Sequence, residues 1–333
     1  MFDWFRLTRA SGLFTVASNL LAAVAVAVYT RSLEERILGR QLAGAGADVL
    51  WVIVTSCLLL LGGMVWNDLA DLERDRELHP RRPLAAGRIS PLSAWFAGLF
   101  LVSGALLCAA PLGYRGIYGA GVVLSLSLIY NFLTKQVPYL GSLTMAAVRF
   151  AFAVFALLAL GPEYFDRTVL AIVSLLSLRP TDGRYNLPIY PAALGIYVFG
   201  VTLLSELESR RGRRCELLLG GAIVLAAYGY GGYRLFAAHW LHDPLRRSSF
   251  FAWLGVLAFL AVGVFACWRF LRSWLRAVRS ARRADVGPSV GVALGGMLLF
   301  DALLAASGHP LIGLAILLLF LPFVIVAAAV RMD

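Results

Sequence analysis

Residues 47–66 read ADVLWVIVTSCLLLLGGMVW, and the nine that follow read Asn67-Asp68-Leu69-Ala70-Asp71-Leu72-Glu73-Arg74-Asp75. The first piece has the length of about 20 residues that an α-helix needs to cross a hydrocarbon layer about 30 Å thick. Its apolar residues are continuous rather than alternating, which favours a helix over a barrel strand. At that depth only those two structures satisfy every backbone group. Similar runs recur near 11–30, 91–111, 116–133, 141–161, 187–205, 215–233, 249–270, 289–306 and 309–330. Hydrophobic residues make up 60% of the 333 and charged residues 15%, too little polar surface for a soluble chain of this length. The expected fold is an all-α polytopic membrane protein, a single integral domain over 1–333.

The last two runs are separated only by Ser307-Gly308-His309-Pro310, so they form either a tight hairpin or one long broken element, and the count of spans is about nine or ten. Residues 162–186 and 271–288 are the longest stretches expected outside the bilayer, with Val169–Leu178 lying along the interface. Met1–Arg9 is short, and no Ala-x-Ala-like site comes after a compact apolar core, so no cleavable leader is expected.

The net charge is +11. With the N-terminus inside, the inward loops hold Arg74, Arg76, Arg81, Arg82, Arg88, Lys135, Arg210, Arg211, Arg213, Arg214, Arg272, Arg276, Arg279, Arg282 and Arg283. The outward loops hold fewer cations, several beside acids. Such a bias orients a membrane protein with these loops in the cytoplasm, as in a bacterial inner membrane. No loop interleaves basic and aromatic residues as an RNA binder does, so no nucleic-acid partner is expected. Cys57, Cys108, Cys215 and Cys267 are scattered, without the spacing of a zinc site or a disulfide framework.

Asp68, Asp71 and Asp75 stand at i, i+3 and i+7, within roughly a 60° arc of a helix. Like charges so placed repel, and more strongly at the mouth of a membrane cavity. Oxygen donors with one amide, Asn67, suit a hard cation, and Mg²⁺ bridging to phosphate is the usual case. The next stretch, His79-Pro80-Arg81-Arg82-Pro83-Leu84-Ala85-Ala86-Gly87-Arg88-Ile89-Ser90, brings guanidiniums suited to phosphate. A solvated loop in which Arg74 and Arg76 pair with the acids is the plainer alternative.

The pattern Asn-Asp-x-x-Asp-x-x-x-Asp followed by Arg-Pro-Leu-x-x-Gly-x-Ile-Ser, nearly continuous over 67–90, resembles the first signature of the UbiA superfamily of intramembrane prenyltransferases. The resemblance implies about nine transmembrane helices in two pseudo-repeated four-helix bundles around a central cavity, here about 11–161 and 187–330. It also implies Mg²⁺-dependent transfer of a prenyl group from a prenyl diphosphate to a lipophilic, often aromatic, acceptor, with no obligate protein partner. Asp68, Asp71 and Asp75 would be the catalytic and metal-binding acids, and Asn67 and Arg82 diphosphate contacts.

That family carries a second acidic motif after its sixth span. Here the stretch is Ser205-Glu206-Leu207-Glu208-Ser209-Arg210-Arg211-Gly212-Arg213. Aligned on Gly212, only Glu206 keeps a carboxylate and would join the metal ligands, Ser209 and Arg213 replace acids, and Glu208 is expected on the opposite helix face. The departure resembles divergent, EboC-like branches. Three readings stay open: one metal with Arg213 on phosphate, Glu206 and Glu208 both ligating through a distorted helix, or a protein that binds a prenyl lipid without transferring it.

Tyr130-Asn131-Phe132-Leu133-Thr134-Lys135 resembles the family's Tyr-x-x-x-x-Lys, which would make Lys135 a phosphate contact; a snorkelling lysine reads as well. Arg149 lies inside an apolar run, where an arginine costs roughly 2.5–3.5 kcal/mol on insertion scales and points to function. It would contact the diphosphate, orient an acceptor, or pair with Asp301. Asn19 would line the cavity or bond between helices. A non-catalytic isoprenoid-binding or lipid-transporting protein is the rival function. An ion-coupled transporter using Arg149 and Asp301 would need paired interrupted spans, which the sequence lacks.

Overall fold

Among the described residues, every apolar run so expected folds as helix. The computed structural model describes residues 2–8, 12–35, 46–176, 189–209, 214–241, 250–280 and 282–330. In chain order the helices are α1 (Phe2–Leu7), α2 (Gly12–Glu35), α3 (Gly46–Ala70), α4 (Leu72–Leu78), α5 (Pro91–Ala109), α6 (Gly113–Ile129), α7 (Leu140–Ala156), α8 (Pro162–Leu176), α9 (Ile189–Ser209), α10 (Arg214–Leu241), α11 (Phe250–Ser280), α12 (Arg283–Gly308) and α13 (Pro310–Val330). Eight stretches of described residues are long and apolar enough to cross a membrane. One of them, Pro91–Thr134, runs through two helices, α5 and α6, broken by a 3-10 turn at Ala110–Leu112 and by Gly113 at φ +72°. The described part of α2 adds the shorter apolar stretch Gly12–Ala27.

Large apolar side chains face outward in helical register. On α13, Leu311, Leu314, Leu318, Leu321 and Ile325 are exposed, and on α5 Trp95, Phe96, Leu99 and Phe100. In water such patches would drive aggregation; in a bilayer they are the surface that lipid covers. The helices that mix small and large residues lie inside. On α12, Ala293, Met297, Leu298, Phe300, Leu303 and Leu304 are buried, and this helix packs against α2, α9, α10, α11 and α13. Helices α3 and α5 form another close pair, and α7 packs along α9. The α3–α5 approach depends on Gly98: a Cβ there would stand 2.2 Å from Trp66 Nε1.

The hairpin alternative for the last two runs is the one found. Gly308 ends α12, His309 is extended, Pro310 opens α13 at the position where its missing N–H costs nothing, and the two helices pack together. Two expectations are corrected. Residues 271–288 are not a long loop, because α11 continues to Ser280 and α12 starts at Arg283. Long cationic side chains on the extended turns let the helices run on past the apolar layer. The apolar piece expected at Val169–Leu178 is described as far as Leu176, residues 177–178 lying outside the described residues, and it belongs to α8, which starts earlier, at Pro162. Its Asp166 is gripped by Arg115 of α6 through contacts of 2.5–2.9 Å, and this hydrogen-bonded guanidinium holds the carboxyl below its ordinary value.

Candidate functional site

Helix α3 carries Asn67 and Asp68 on its last turn. The backbone then slackens at Asp71 (φ −92°, ψ 0°) and resumes as α4, which carries Asp75. Asp71 N–H donates to the Asn67 carbonyl at 3.1 Å and Asp75 N–H to the Asp71 carbonyl at 2.8 Å, so the helical stagger survives the break. The i to i+4 backbone bonds therefore run on through the segment that carries the acids, and Asp71 and Asp75 line one cavity. Asn67, Asp68, Asp71 and Asp75 are each 9% exposed or less, and carboxylates so buried need partners.

Partners come from two directions. Arg82 Nη1 donates to both carboxylate oxygens of Asp75, at 2.8 and 2.6 Å. The loop that delivers Arg82 is a compact turn: Arg82 N–H bonds the His79 carbonyl at 3.0 Å, and Gly87 takes φ +70°, a conformation disfavoured for residues with a Cβ. Leu84 and Ile89 anchor that turn in a small core with Val65 and Trp66. This explains the Arg-Pro-Leu-x-x-Gly-x-Ile spacing in physical terms. The cation is at the front, the glycine makes the bend, and the apolar residues fasten the bend to α3.

Lys135 arrives from α6. Residues Tyr130–Thr134 form a π-turn, closed by Lys135 N–H to the Tyr130 carbonyl at 2.9 Å. Such one-turn widenings recur at functional sites. Here the turn aims Asn131 Nδ2 at the Gly63 carbonyl (3.1 Å) and Lys135 Nζ at Asn67 Oδ1 (2.7 Å) and at Asp71, which it contacts directly. Asn67 Nδ2 in turn donates to Asp68 Oδ1 at 3.2 Å.

The second acidic segment contributes Glu206, which is bonded to the start of α7. Glu206 accepts from Ser142 Oγ at 2.6 Å and from the backbone N–H of Tyr139 at 3.1–3.2 Å. Its carboxylate thus sits over the N-terminus of α7, where exposed N–H groups and the helix dipole favour an anion. Tyr139 has φ +65°, and its hydroxyl contacts Glu216 of α10. Glu208, expected on the opposite face, shares the cavity wall with Glu206, because the cavity opens around the last turn of α9.

Asp71, Asp75, Arg82, Lys135, Ser142, Glu206 and Glu208 line one cavity of about 530 Å³. Behind it lies a chamber of about 70 Å³ between α3, α6 and α7, walled by Leu59, Leu60, Met64, Met145, Val148 and Phe152 with Asn67 and Arg149 among them. Asp68 touches Asn67 but lines neither space. Asn19 stands behind Arg149 rather than on either wall, bonded to it and to Asp301. Arg213 lies outside the described residues. Ser142, Tyr139 and Asn131 were not singled out from sequence: Tyr139 is a bulky residue at positive φ, and no local pattern announces that.

The donor set is oxygen only. Among the described residues no three His, Cys, Asp or Glu side chains converge as a ready-made metal shell. That still fits Mg²⁺, which keeps several waters and is held by one or two carboxylates together with substrate phosphates.

A curated relative, digeranylgeranylglyceryl phosphate synthase of Pyrococcus furiosus, is 28% identical over 113 residues, which are 34% of this chain and 40% of that protein. The matched stretch thus spans two-fifths of the relative's length. Among solved structures, the apo UbiA homologue of Aeropyrum pernix K1 superposes with a TM-score of 0.53 at 18% identity, over 87% of this chain and 96% of that one. The Archaeoglobus fulgidus homologue solved with GPP and Mg²⁺ gives 0.50 at 14% identity, over 91% and 99%. The fold is therefore theirs. The model of the UbiA prenyltransferase family matches residues 37–286, three-quarters of the sequence and both acidic segments, and the chain belongs to that family.

Proposed function

We propose that the protein transfers a prenyl group from a prenyl diphosphate to a lipophilic acceptor inside the membrane, with Mg²⁺ as cofactor. The observation that carries this reading is the single cavity where Asp71 and Asp75 meet Arg82 and Lys135, with Tyr130 shared between it and a small, mainly apolar chamber. Acids for a metal, cations for phosphate and an apolar recess are what an allylic diphosphate requires together. The Archaeoglobus relative solved with GPP and Mg²⁺ supports the substrate class.

Asp68, Asp71 and Asp75 would hold the metal–diphosphate, with Asn67 as a neutral oxygen donor. Mg²⁺, when bound, would supply positive charge against the departing diphosphate. Lys135 and Arg82 now neutralise Asp71 and Asp75; on substrate binding they turn part of their donor capacity to phosphate oxygens, which charge-assisted bonds favour. The allylic C–O bond breaks with its electron pair leaving on the diphosphate, and Lys135 and Arg82 stabilise the charge that builds there. A site closed to water would protect the allylic cation. An electron pair of the acceptor then forms the new bond, and the acceptor's displaced proton passes to diphosphate or water.

Glu206, occupied by Ser142 and the Tyr139 backbone, supports a site built on the first acidic segment alone. The arginines near both motifs favour a cytoplasmic mouth, and the two halves 11–161 and 187–330 are read as pseudo-repeats. The test is mass spectrometry of membrane lipids after incubation with Mg²⁺ and prenyl diphosphates of graded length. A prenylated lipid should form in the wild type and be lost in Asp68→Ala and Asp71→Ala. Diphosphate binding without product would instead identify an isoprenoid carrier, and undiminished product in either variant would refute the assignment.

A further inference from the structure

Away from the acids, a groove of about 750 Å³ runs between α11 and α13, with α12 as its floor. That volume falls in the range of about 300–1,000 Å³ that encloses whole small molecules. Gly291 and Gly295 lower the floor, and Phe265, Leu299 and Phe320 stand along it. A Cβ on Gly291 would meet nothing within 4 Å, so the floor is open there. From Gly287 to Leu299 the groove follows α12 for twelve residues, about 18 Å at about 1.5 Å per residue. One leaflet of a hydrocarbon layer about 30 Å thick has nearly that depth.

A single cation lines the groove. Arg269 comes directly after the unbroken apolar run Phe250–Trp268 of α11, and so marks where hydrocarbon gives way to head groups. Its guanidinium carbon stands 5.9 Å from the centroid of the Phe265 ring, and among the described residues its side chain has no ion pair and no hydrogen bond. No acid lines the groove among those residues. Glu208, which a Cβ on Gly287 would approach to 3.5 Å, lines the acid cavity instead. A fork of five N–H donors therefore faces an apolar trough with its charge unmatched.

That charge decides between occupants. A helix from a second copy would suit the glycine floor, but it would seal Arg269 against walls that offer no acid, and a buried unpaired charge is costly. A lipid brings its own counter-charge at the level of Arg269 and a chain for the apolar length beyond it. Basic pockets between membrane helices take anionic head groups in this way. We propose that the groove is a site for a membrane phospholipid of net negative charge, its phosphate on Arg269 and one acyl chain between Phe265 and Phe320. The lipid is a bound component and not a reactant, so the proposal does not depend on prenyl transfer. It joins α11 to α13 across α12, and the α12 and α13 residues that form the groove all follow Val286, where the family match ends.

The test is native mass spectrometry of the full chain released from an uncharged detergent, with phosphatidylglycerol and phosphatidylcholine of identical acyl chains added in equal amounts. Both carry a phosphate, and only the first has a net charge. The wild type should retain phosphatidylglycerol about ten-fold better, the size of one charge-assisted hydrogen bond. Arg269 is exposed, so Arg269→Gln leaves the core intact, and it should bring retention of the two lipids within about two-fold of each other. Gly291→Leu, which fills the floor, should lower retention of both. Arg276→Gln, on the same helix but outside the groove, should leave the wild-type ratio within about two-fold. Inorganic phosphate at the lipid's concentration should not compete, because it lacks the chain. Equal retention of the two lipids by the wild type overturns the proposal, as does a preference that survives Arg269→Gln. A preference that falls as far in Arg276→Gln also overturns it, leaving surface charge alone as the cause. Displacement by phosphate would make the groove a soluble-anion site instead, and a lipid-free dimer that Gly291→Leu dissociates would give it to a second copy.

Discussion

Lys135 reaches Asn67 and Asp71 because the turn before it holds one residue more than an α-helical turn. Its replacement by Met should keep the stem packed while leaving Asp71 without that cation. Prenyl diphosphate affinity should fall about ten-fold or more, read by titration with Mg²⁺ present. Glu206 offers the converse case. Glu206→Gln keeps an oxygen for Ser142 and the Tyr139 N–H, so product formation should survive it, whereas Asp71→Asn at a metal position should abolish turnover; equal losses would return Glu206 to the metal. At this scale the first acidic segment was legible from sequence because its residues lie within one stretch of helix and carry their own spacing. The partners of Glu206 were not, since they are Ser142 and the backbone of Tyr139 at positive φ, both more than sixty positions away along the chain.

Between elements, close approach does the positioning. A Cβ on Gly141 would stand 2.9 Å from the Lys135 carbonyl, so Gly141→Ala should push the loop bearing Lys135 away from α7. Overpacking of this kind costs about 1–3 kcal/mol, and the expected result is a lower melting temperature together with weaker diphosphate binding. The Arg115–Asp166 tie should respond to pH in one direction only. With the Asp166 carboxyl held below its ordinary value, the tie contributes above the unfolded value of about 3.9 and is lost as pH falls through the lower folded one. Protection of the α8 amides, taken relative to their intrinsic exchange rate, should therefore fall only in acid. The spans themselves were legible, since a run of about 20 apolar residues has few other uses. The helical ends at 271–288 were not, because hydropathy marks where the apolar layer stops and not where the helix does.

Across the whole molecule, the Asp301 cluster ties α2 and α7 to α9 and α12, joining early and late parts of the chain through Ser18, Asn19, Arg149 and Tyr190. Tyr190→Phe removes one donor from a fully buried carboxylate and should cost about 1–3 kcal/mol, read as reduced resistance to denaturant-driven unfolding in detergent. The sequence flagged Arg149 as costly and offered Asp301 as a partner for it. It could not place the amide between them, since that depends on how four helices meet.

The carboxylates of the first motif already hold Lys135 and Arg82. A bare divalent ion would have to displace tethered ammonium and guanidinium groups, whereas a metal diphosphate brings an anion that rehouses them. The kinetics should therefore be ordered: free Mg²⁺ should bind feebly by itself, and the magnesium complex of the diphosphate should behave as a single ligand. Initial rates should follow the concentration of that complex rather than of either component, and a tight resting Mg²⁺ site found by titration would contradict this.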